Sequence, residues 1–234
     1  AHVDQLWQHV KGRWDELTFG SPWVADRDRA RTRRMVEGLS DYLRTFASAG
    51  RRLLGAGTSF ALVTGPARMR GSIDRIEVDP DGRVSVVDLK TGRSMPSEKN
   101  DMPEHPQLGA YQLAVEDGAV EGVPAGYEMA DARLVFVQNP RGGHAYSERT
   151  QQAFHDDARD AYRQRLHTVA TGMAGRTFLA TVDDHCEQAP TALPCRLPVV
   201  WEVTSCPGNR CISRARTTSA ALLFRVEVSA LCSA

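Results

Sequence analysis

The sequence has 234 residues, with 29 basic and 29 acidic side chains, and its formal net charge is zero. Apolar residues make up 41% and charged residues 25%, a balance that is ordinary for a globular protein and that excludes a fibrous repeat or a wholly disordered chain. No apolar run approaches the roughly 18 residues that a membrane-spanning helix needs. The length allows one sizeable hydrophobic core, or at most two small ones.

The first fifth of the chain predicts two helices. Apolar side chains recur at helical spacing over residues 4–18 and again over 25–48. Positive charge near a helix N-terminus is mildly unfavourable, yet the longer helix begins with five arginines: Arg27, Arg29, Arg31, Arg33 and Arg34. The cluster indicates either a surface that faces phosphate groups or simply a solvated face of the helix.

Strands and helices are both predicted between residue 59 and residue 170. Three strand-like runs are predicted at 59–63, 69–78 and 83–90, followed by a helix over 104–115, a buried strand at 133–138 and a helix over 149–170. Beyond residue 178 the regular pattern fades. The order of helix, three strands, helix, strand and helix predicts an α/β fold.

The most informative segment is the hairpin between the second and third predicted strands. Its turn, Asp-Pro-Asp-Gly at 79–82, combines a proline that presets φ with a glycine that can take the left-handed position of a three-residue loop. Counting back along both strands from this loop places Asp74 opposite Asp88. Lys90 follows two residues after Asp88 and therefore projects from the same face. The hairpin is thus predicted to bring two carboxylates and an ammonium group together.

Two carboxylates that face each other on neighbouring strands repel one another. A hard divalent cation such as Mg²⁺ offsets that repulsion, and it commonly binds one or two carboxylates together with water and phosphate oxygens. Lys90 could then position the attacking water or stabilise charge on the phosphate. Alternatively, the three residues have no catalytic role, and Lys90 is only an ion-pair partner of the aspartates on a solvated surface. The strand register and the rarity of lysine, with only three among the 29 basic residues, favour a functional site.

A second motif lies on the helix predicted over 104–115. Gln107 and Tyr111 are four residues apart, so they share one face of that helix. Both side chains can bond phosphate or sugar groups without adding charge. An isolated Gln-x-x-x-Tyr pair is equally typical of a helix with a buried tyrosine and a surface glutamine. Here the pair follows the Asp-x-Lys strand at short range, which favours one joint site.

Together these motifs resemble a known family. Gly71-x-x-Asp74-Arg-x-Glu77, Asp88-x-Lys90-Thr-Gly and Gln107-x-x-x-Tyr111 are similar to the motifs of the RecB-type branch of the PD-(D/E)XK nucleases. The predicted elements match the restriction-endonuclease-like core of that family, which has the order α-β-β-β-α-β. The flanking segment, with Trp7, Phe19, Trp23 and the Arg-rich helix, resembles the C-terminal nuclease domains of actinobacterial AdnAB/AddAB-like helicase–nucleases. The resemblance extends from about residue 5 to about residue 205.

The resemblance implies roles for particular residues. Mg or Mn would be held by Asp74, Asp88 and the backbone carbonyl of Leu89, and the catalytic residues would be Asp74, Asp88, Lys90, Gln107 and Tyr111. Glu77 would have a supporting role, and Arg75 would be structural or a phosphate contact. The implied substrate is DNA, as a single strand or a duplex end, and the implied location is cytoplasmic and nucleoid-associated, away from membranes. ATP would be used by a helicase module or partner subunit, since the sequence contains no P-loop motif.

The cysteines depart from the family pattern. All five lie in the last quarter of the chain, which favours a metal site or a loose tail over a disulfide scaffold. Many family members hold a [4Fe–4S] cluster on one upstream and three downstream cysteines. Cys186 and Cys195 match two of the downstream positions, but Ala189 stands at the third and no cysteine precedes them. Two of four ligands do not hold such a cluster, although Cys206 and Cys211 could in principle substitute. We therefore expect no cluster, with Cys186 and Cys195 as degenerate cofactor positions or free thiols.

On this basis the chain divides into four parts: residues 1–50 as N-terminal helices that are an incomplete part of the nuclease domain, 51–180 as the nuclease core, 181–204 as an irregular, degenerate cluster-type arm, and 205–234 as an atypical, disordered tail. Neither His2 nor His9 matches the upstream metal-binding histidine of the family. Two functions remain open: a metal-dependent DNA exonuclease domain of a RecB-like helicase–nuclease in double-strand-break repair, or an impaired fragment that acts only as a DNA-binding or structural remnant. The flanking segment disfavours a stand-alone CRISPR-adaptation-type nuclease.

Overall fold

The computed structural model describes residues 3–14 and 16–175, together with the backbone of three short strands at 177–179, 200–202 and 225–227. In chain order the elements are α1 (Val3–Trp14), α2 (Pro22–Ser48), β1 (Arg52–Thr64), β2 (Ala67–Val78), β3 (Val84–Lys90), α3 (Pro106–Glu116), β4 (Met129–Phe136), β5 (Ser147–Gln152), α4 (Asp156–Ala174), β6 (Thr177–Leu179), β7 (Val200–Glu202) and β8 (Arg225–Glu227). Within this described part, every helix is too short or too polar to cross a bilayer.

A mixed sheet of five strands, in the order β1-β2-β3-β4-β5, forms the centre of the fold. The first three strands are an antiparallel meander, β4 runs parallel to β3, and β5 is antiparallel to β4. Parallel neighbours require a crossover connection, and α3 lies within the crossover between β3 and β4. The short strand β8 pairs with the start of β2, and β6 pairs with β7. This architecture confirms the α/β fold with its α-β-β-β-α-β core.

Helices cover both faces of the sheet. One hydrophobic cluster joins α3 to the sheet and includes Ile76, Val86 and Leu113, while a second one lies under α2 and includes Tyr42 and Val87. Because side chains alternate along a strand, β3 presents residues 86, 88 and 90 toward α3 and residues 87 and 89 toward α2. This alternation decides which polar side chains share a site.

The sequence-based boundaries are wrong at several points. The helix predicted over 149–170 begins too early, because residues 147–152 form β5 and the helix starts only at Asp156. The sequence of β5, Ser-Glu-Arg-Thr-Gln-Gln, lacks apolar alternation, and the strand forms by pairing with β4. Similarly, α1 ends at Trp14 rather than at 18, and β1 is much longer than the predicted run at 59–63.

The predictions for the C-terminal part of the chain concern residues that the structure does not describe. Cys186 and Cys195, together with the rest of the predicted arm up to residue 199, lie outside the described residues, as does most of the predicted tail.

Candidate active site

The hairpin between β2 and β3 has the predicted register. Its turn closes through the backbone N–H of Asp79, which donates to the carbonyl of Arg83 at 2.9 Å, and Gly82 has the left-handed φ of +85°. The recorded pairs begin with Val78 opposite Val84 and continue to residue 75 opposite residue 87. The next position along both strands is occupied by the two aspartates. Turn chemistry therefore aligns them.

Asp74 lies where the backbone pairing of β2 with β3 stops. One of its carboxylate oxygens, Oδ2, accepts the backbone N–H of Leu89 at 2.8 Å, so the side chain takes a donor that would otherwise lack a partner from β2. This bond holds the Asp74 carboxylate against β3, beside Asp88. The negative charge of Asp74 is in turn one of the causes that raise the pKa of Asp88.

Asp88 is the buried centre of the site, and only 5% of its surface is exposed. Its Oδ2 lies 2.7 Å from Nζ of Lys90, and its Oδ1 accepts hydrogen bonds from Nε2 of Gln107 at 2.6 Å and from the Tyr111 hydroxyl at 3.3 Å. Burial raises the pKa of Asp88 and Asp74 adds to that effect, whereas the hydrogen bond and charge of Lys90 oppose it. The carboxylate is thus desolvated and closely surrounded by donors.

Gln107 joins the other three side chains. Its Oε1 accepts from Nζ of Lys90 at 2.8 Å, and its Nε2 donates to Asp88 and to the hydroxyl oxygen of Tyr111, the latter at 2.8 Å. An ammonium group can only donate and an ionised carboxylate can only accept, so the neighbours determine the orientation of the amide. The predicted i, i+4 pair therefore does meet the predicted hairpin residues.

The cap of α3 and a tyrosine in the middle of that helix stay uncharged at neutral pH. Burial, followed by the charge of Asp88, raises the pKa of Tyr111 above its ordinary value, so the phenol remains protonated. His105 caps α3, and its Nδ1 accepts the backbone N–H of Leu108 at 3.4 Å. Burial and the charge of Lys90 lower the pKa of His105 to about 4. The sequence motif contained His105, but its spacing gave no sign of this capping role.

The site has oxygen ligands of the kind that a hard divalent cation requires. Asp74 and Asp88 contribute two carboxylates against one ammonium group from Lys90, so this cluster keeps a net negative charge. Among the described residues, no group of three His, Cys, Asp or Glu side chains is arranged to hold a metal. Mg²⁺ often takes only one or two carboxylates and fills its other positions with water and substrate oxygens. The two aspartates fit Mg²⁺ or Mn²⁺ in this respect.

Arg75 and Glu77 lie on the opposite face of β2. Glu77 is fully buried, and its Oε1 accepts from the Tyr42 hydroxyl at 2.6 Å and from Nε of Arg75 at 2.9 Å. The guanidinium of Arg75 also lies 4.8 Å from the ring centre of Phe46. These contacts tie α2 to the sheet, so Arg75 has the structural role of the two that the sequence left open.

A link between α2 and the end of β3 is absent from the sequence-based predictions. Arg31 donates from Nη2 to the carbonyl of Thr91 at 3.2 Å and from Nε to Oε1 of Gln138 at 3.3 Å. The amide of Gln138 donates to the same Thr91 carbonyl. Because Thr91 directly follows Lys90, this link positions the arginine-rich helix beside the site.

A mixed sheet with a helical crossover, carrying an Asp and an Asp-x-Lys motif on adjacent strands, defines a nuclease of the restriction-endonuclease-like class. The family model of the PD-(D/E)XK nuclease superfamily matches residues 1–196, and the chain belongs to that superfamily. Membership implies metal-dependent hydrolysis of phosphodiesters and a DNA substrate. A comparison with curated proteins gives no significant match.

Proposed function

We propose that the chain is the DNA exonuclease domain of a RecB-like helicase–nuclease that acts in double-strand-break repair. The observation that carries the nuclease proposal is the hydrogen-bonded cluster of Asp88, Lys90, Gln107 and Tyr111, with Asp74 beside it. The RecB-like assignment is supported by the Gln-x-x-x-Tyr helix and by the flanking sequence. A helicase module or partner subunit would supply DNA strands to this domain.

In this proposal Asp74, Asp88 and the Leu89 carbonyl hold Mg²⁺ or Mn²⁺, which when bound supplies Lewis-acid chemistry and activates water. Asp88 is oriented for this role by its donors. Lys90 has three N–H groups, of which Asp88 and Gln107 accept two. The third is available to a phosphate oxygen, where a fixed positive charge stabilises the transition state. Gln107 and Tyr111 position both groups.

The test compares Lys90→Ala with Lys11→Ala on an end-labelled single-stranded oligonucleotide in Mg²⁺ or Mn²⁺. Lys11 is an exposed lysine on α1, so its replacement removes the same charge away from the site. We expect Lys90→Ala to lose about 100-fold or more in kcat, the scale observed when one charge-stabilising donor is removed. Its affinity for DNA should stay within a few-fold of the parent. Lys11→Ala should cleave like the parent.

Two outcomes would contradict the proposal. If Lys90→Ala cleaves as well as Lys11→Ala, the lysine of the hairpin is not catalytic. If the parent itself cleaves nothing while circular dichroism shows it folded, the chain is the impaired remnant. That remnant would still bind DNA weakly, with a constant that falls as salt rises.

A further inference from the structure

One face of the N-terminal half of α2 carries an exposed tryptophan followed by arginines. Trp23, Arg27, Arg31 and Arg34 follow one another at intervals of four, four and three residues, so they lie within an arc of about 80° on the helix. Trp23 is 66% exposed, and the Arg27 guanidinium lies 5.5 Å from its ring centre. We name these four residues the Trp–Arg stripe. Trp23 is one of the most exposed aromatic side chains among the described residues.

The stripe leads to the candidate active site. Further along the same face, Gly38 packs so closely that a Cβ there would lie 1.9 Å from the carbonyl oxygen of Val137, and Asp41 accepts the backbone N–H of Ala145 at 2.8 Å. These contacts seat the C-terminal half of the face on the residues that follow β4. The N-terminal half, with the stripe, continues past the end of β3, where Arg31 bonds Thr91. Lys90 is the preceding residue.

The composition of the stripe matches one kind of ligand. Exposed aromatic rings stack on unpaired bases of any sequence, and neighbouring arginines contact the phosphates between those bases. A duplex would hide the base faces from the tryptophan ring. Five arginines against two aspartates between residues 26 and 34 give this end of the helix a positive charge that is unfavourable for the helix itself.

We infer that the Trp–Arg stripe binds single-stranded DNA, with Trp23 stacking on a base and the arginines contacting phosphates, and that it guides the strand toward Lys90. This inference rests on the proposed function and extends it to the form of the substrate. Arg31 donates two of its N–H groups to Thr91 and Gln138, and its other N–H groups can donate to a phosphate. Arg34 is exposed on the same side.

Arg29 provides a matched control within the same helix. It is exposed and carries the same charge, but helical spacing puts it about 160° away from Arg31 and about 140° away from Arg34. Loss of Arg29 therefore changes the net charge of α2 as much as loss of one stripe arginine does, without changing the stripe.

The experiment measures fluorescence anisotropy of a labelled 20-mer of thymidylate and of an abasic 20-mer, in EDTA so that neither is cleaved, over a range of KCl concentrations. Trp23→Ala should weaken binding of the thymidylate strand about ten-fold and leave binding of the abasic strand nearly unchanged, while Trp23→Phe should retain most of the affinity. The Arg34→Gln variant should weaken binding of both strands. Its slope of log affinity against log salt should fall by about 0.7, the value for one lost phosphate contact.

Arg29→Gln should bind both strands like the parent. The inference is overturned if Trp23→Ala loses equal affinity for both strands, or if Arg34→Gln behaves like Arg29→Gln. If the parent cleaves DNA in Mn²⁺ while these variants bind normally, only the stripe is wrong. If the parent neither binds nor cleaves either strand, the proposed function fails as well.

Discussion

At the scale of single residues, the site depends on an amide that satisfies three neighbours at once. Gln107 accepts from Lys90 and donates to Asp88 and Tyr111. The buried Asp88 carboxylate would be costly without such donors. A single residue of α3 thus couples the helix to both functional residues of β3, which explains why the spacing between the two motifs matters for the site.

His105, the N-cap of α3, makes the stability of the folded protein depend on pH. Its pKa is lowered to about 4 by burial and by Lys90, whereas an unfolded chain has an ordinary histidine pKa of about 6.5. Between these values the unfolded state takes up a proton that the native state does not. The resulting contribution to stability is therefore fully present above about pH 6.5 and is lost as pH falls toward 4.

We expect His105→Asn to remove this pH dependence, because asparagine is a good N-cap acceptor that does not titrate in this range. The free energy of unfolding of the parent, relative to that of the variant, should be about 1 kcal/mol smaller at pH 5 than at pH 7.5, so the parent loses stability at the lower pH; this value allows for the partial exposure of the ring. Urea unfolding at the two pH values measures it. His155→Asn is the control, since His155 caps α4 without a side-chain hydrogen bond. An equal pH effect in both variants would contradict the assignment.

At the scale of elements, the position of α2 depends on one close approach. Gly38 lies where a Cβ would be 1.9 Å from the carbonyl oxygen of Val137 and 2.9 Å from that of Ala145. Both contacts are with backbone atoms, so no side-chain rotation relieves them. Only glycine lets the helix pack this closely on the residues that follow β4.

We expect Gly38→Ala to destabilise the protein by about 3 kcal/mol or more, at the upper end of the overpacking range, although alanine is the better helix former. Gly12→Ala is the matched control, because Gly12 lies in α1 with no atom within 4 Å of the added Cβ. That change should stabilise the protein by about 0.5 kcal/mol or more. Urea unfolding monitored by circular dichroism compares the two. Effects of the same sign would show that the approach of α2 is looser than described.

The elements also show why some features could be predicted from sequence. The turn at 79–82 determines its own loop length, so the register of Asp74 with Asp88 followed from local chemistry. In contrast, β5 is polar and owes its strand conformation to pairing with β4, which no local pattern records. The bond from Arg31 to Thr91 joins residues 60 positions apart. The arginine cluster was visible in the sequence, but the part of the protein that it faces depended on how α2 packs on the sheet.

At the scale of the whole molecule, the two faces of the sheet have different roles. Toward α2, the buried Glu77 is matched by Tyr42 and Arg75, and this network ties the layers together. Toward α3, the aspartates outnumber the single lysine, and a negative charge remains uncompensated. The charge of Glu77 is therefore compensated by two arginines, Arg75 at 2.9 Å and Arg51 at 3.6 Å, whereas the face under α3 favours an added cation.

This asymmetry predicts that a divalent cation stabilises the folded chain through Asp74. At a Mn²⁺ concentration about ten-fold above Kd, binding to the native state alone contributes about 1.4 kcal/mol, which raises Tm by about 3 °C for a chain of this size. In Asp74→Asn the side-chain oxygen can still accept the Leu89 N–H, but the charge is gone. We expect this variant to be at least as stable as the parent in EDTA, because the repulsion with Asp88 is relieved, and to show no rise in Tm with Mn²⁺.

Asp81→Asn is the control for that measurement, since Asp81 lies in the turn of the same hairpin with a side chain that is 77% exposed. It should retain the Mn²⁺-dependent rise in Tm, because its carboxylate lies outside the site. An equal rise in Asp74→Asn would place the cation elsewhere, and no rise in the parent would mean that the two aspartates bind no metal. Since thermal unfolding is read without substrate, the result separates metal binding from catalysis. It therefore tests the electrostatic basis of the site even in a chain that cleaves poorly.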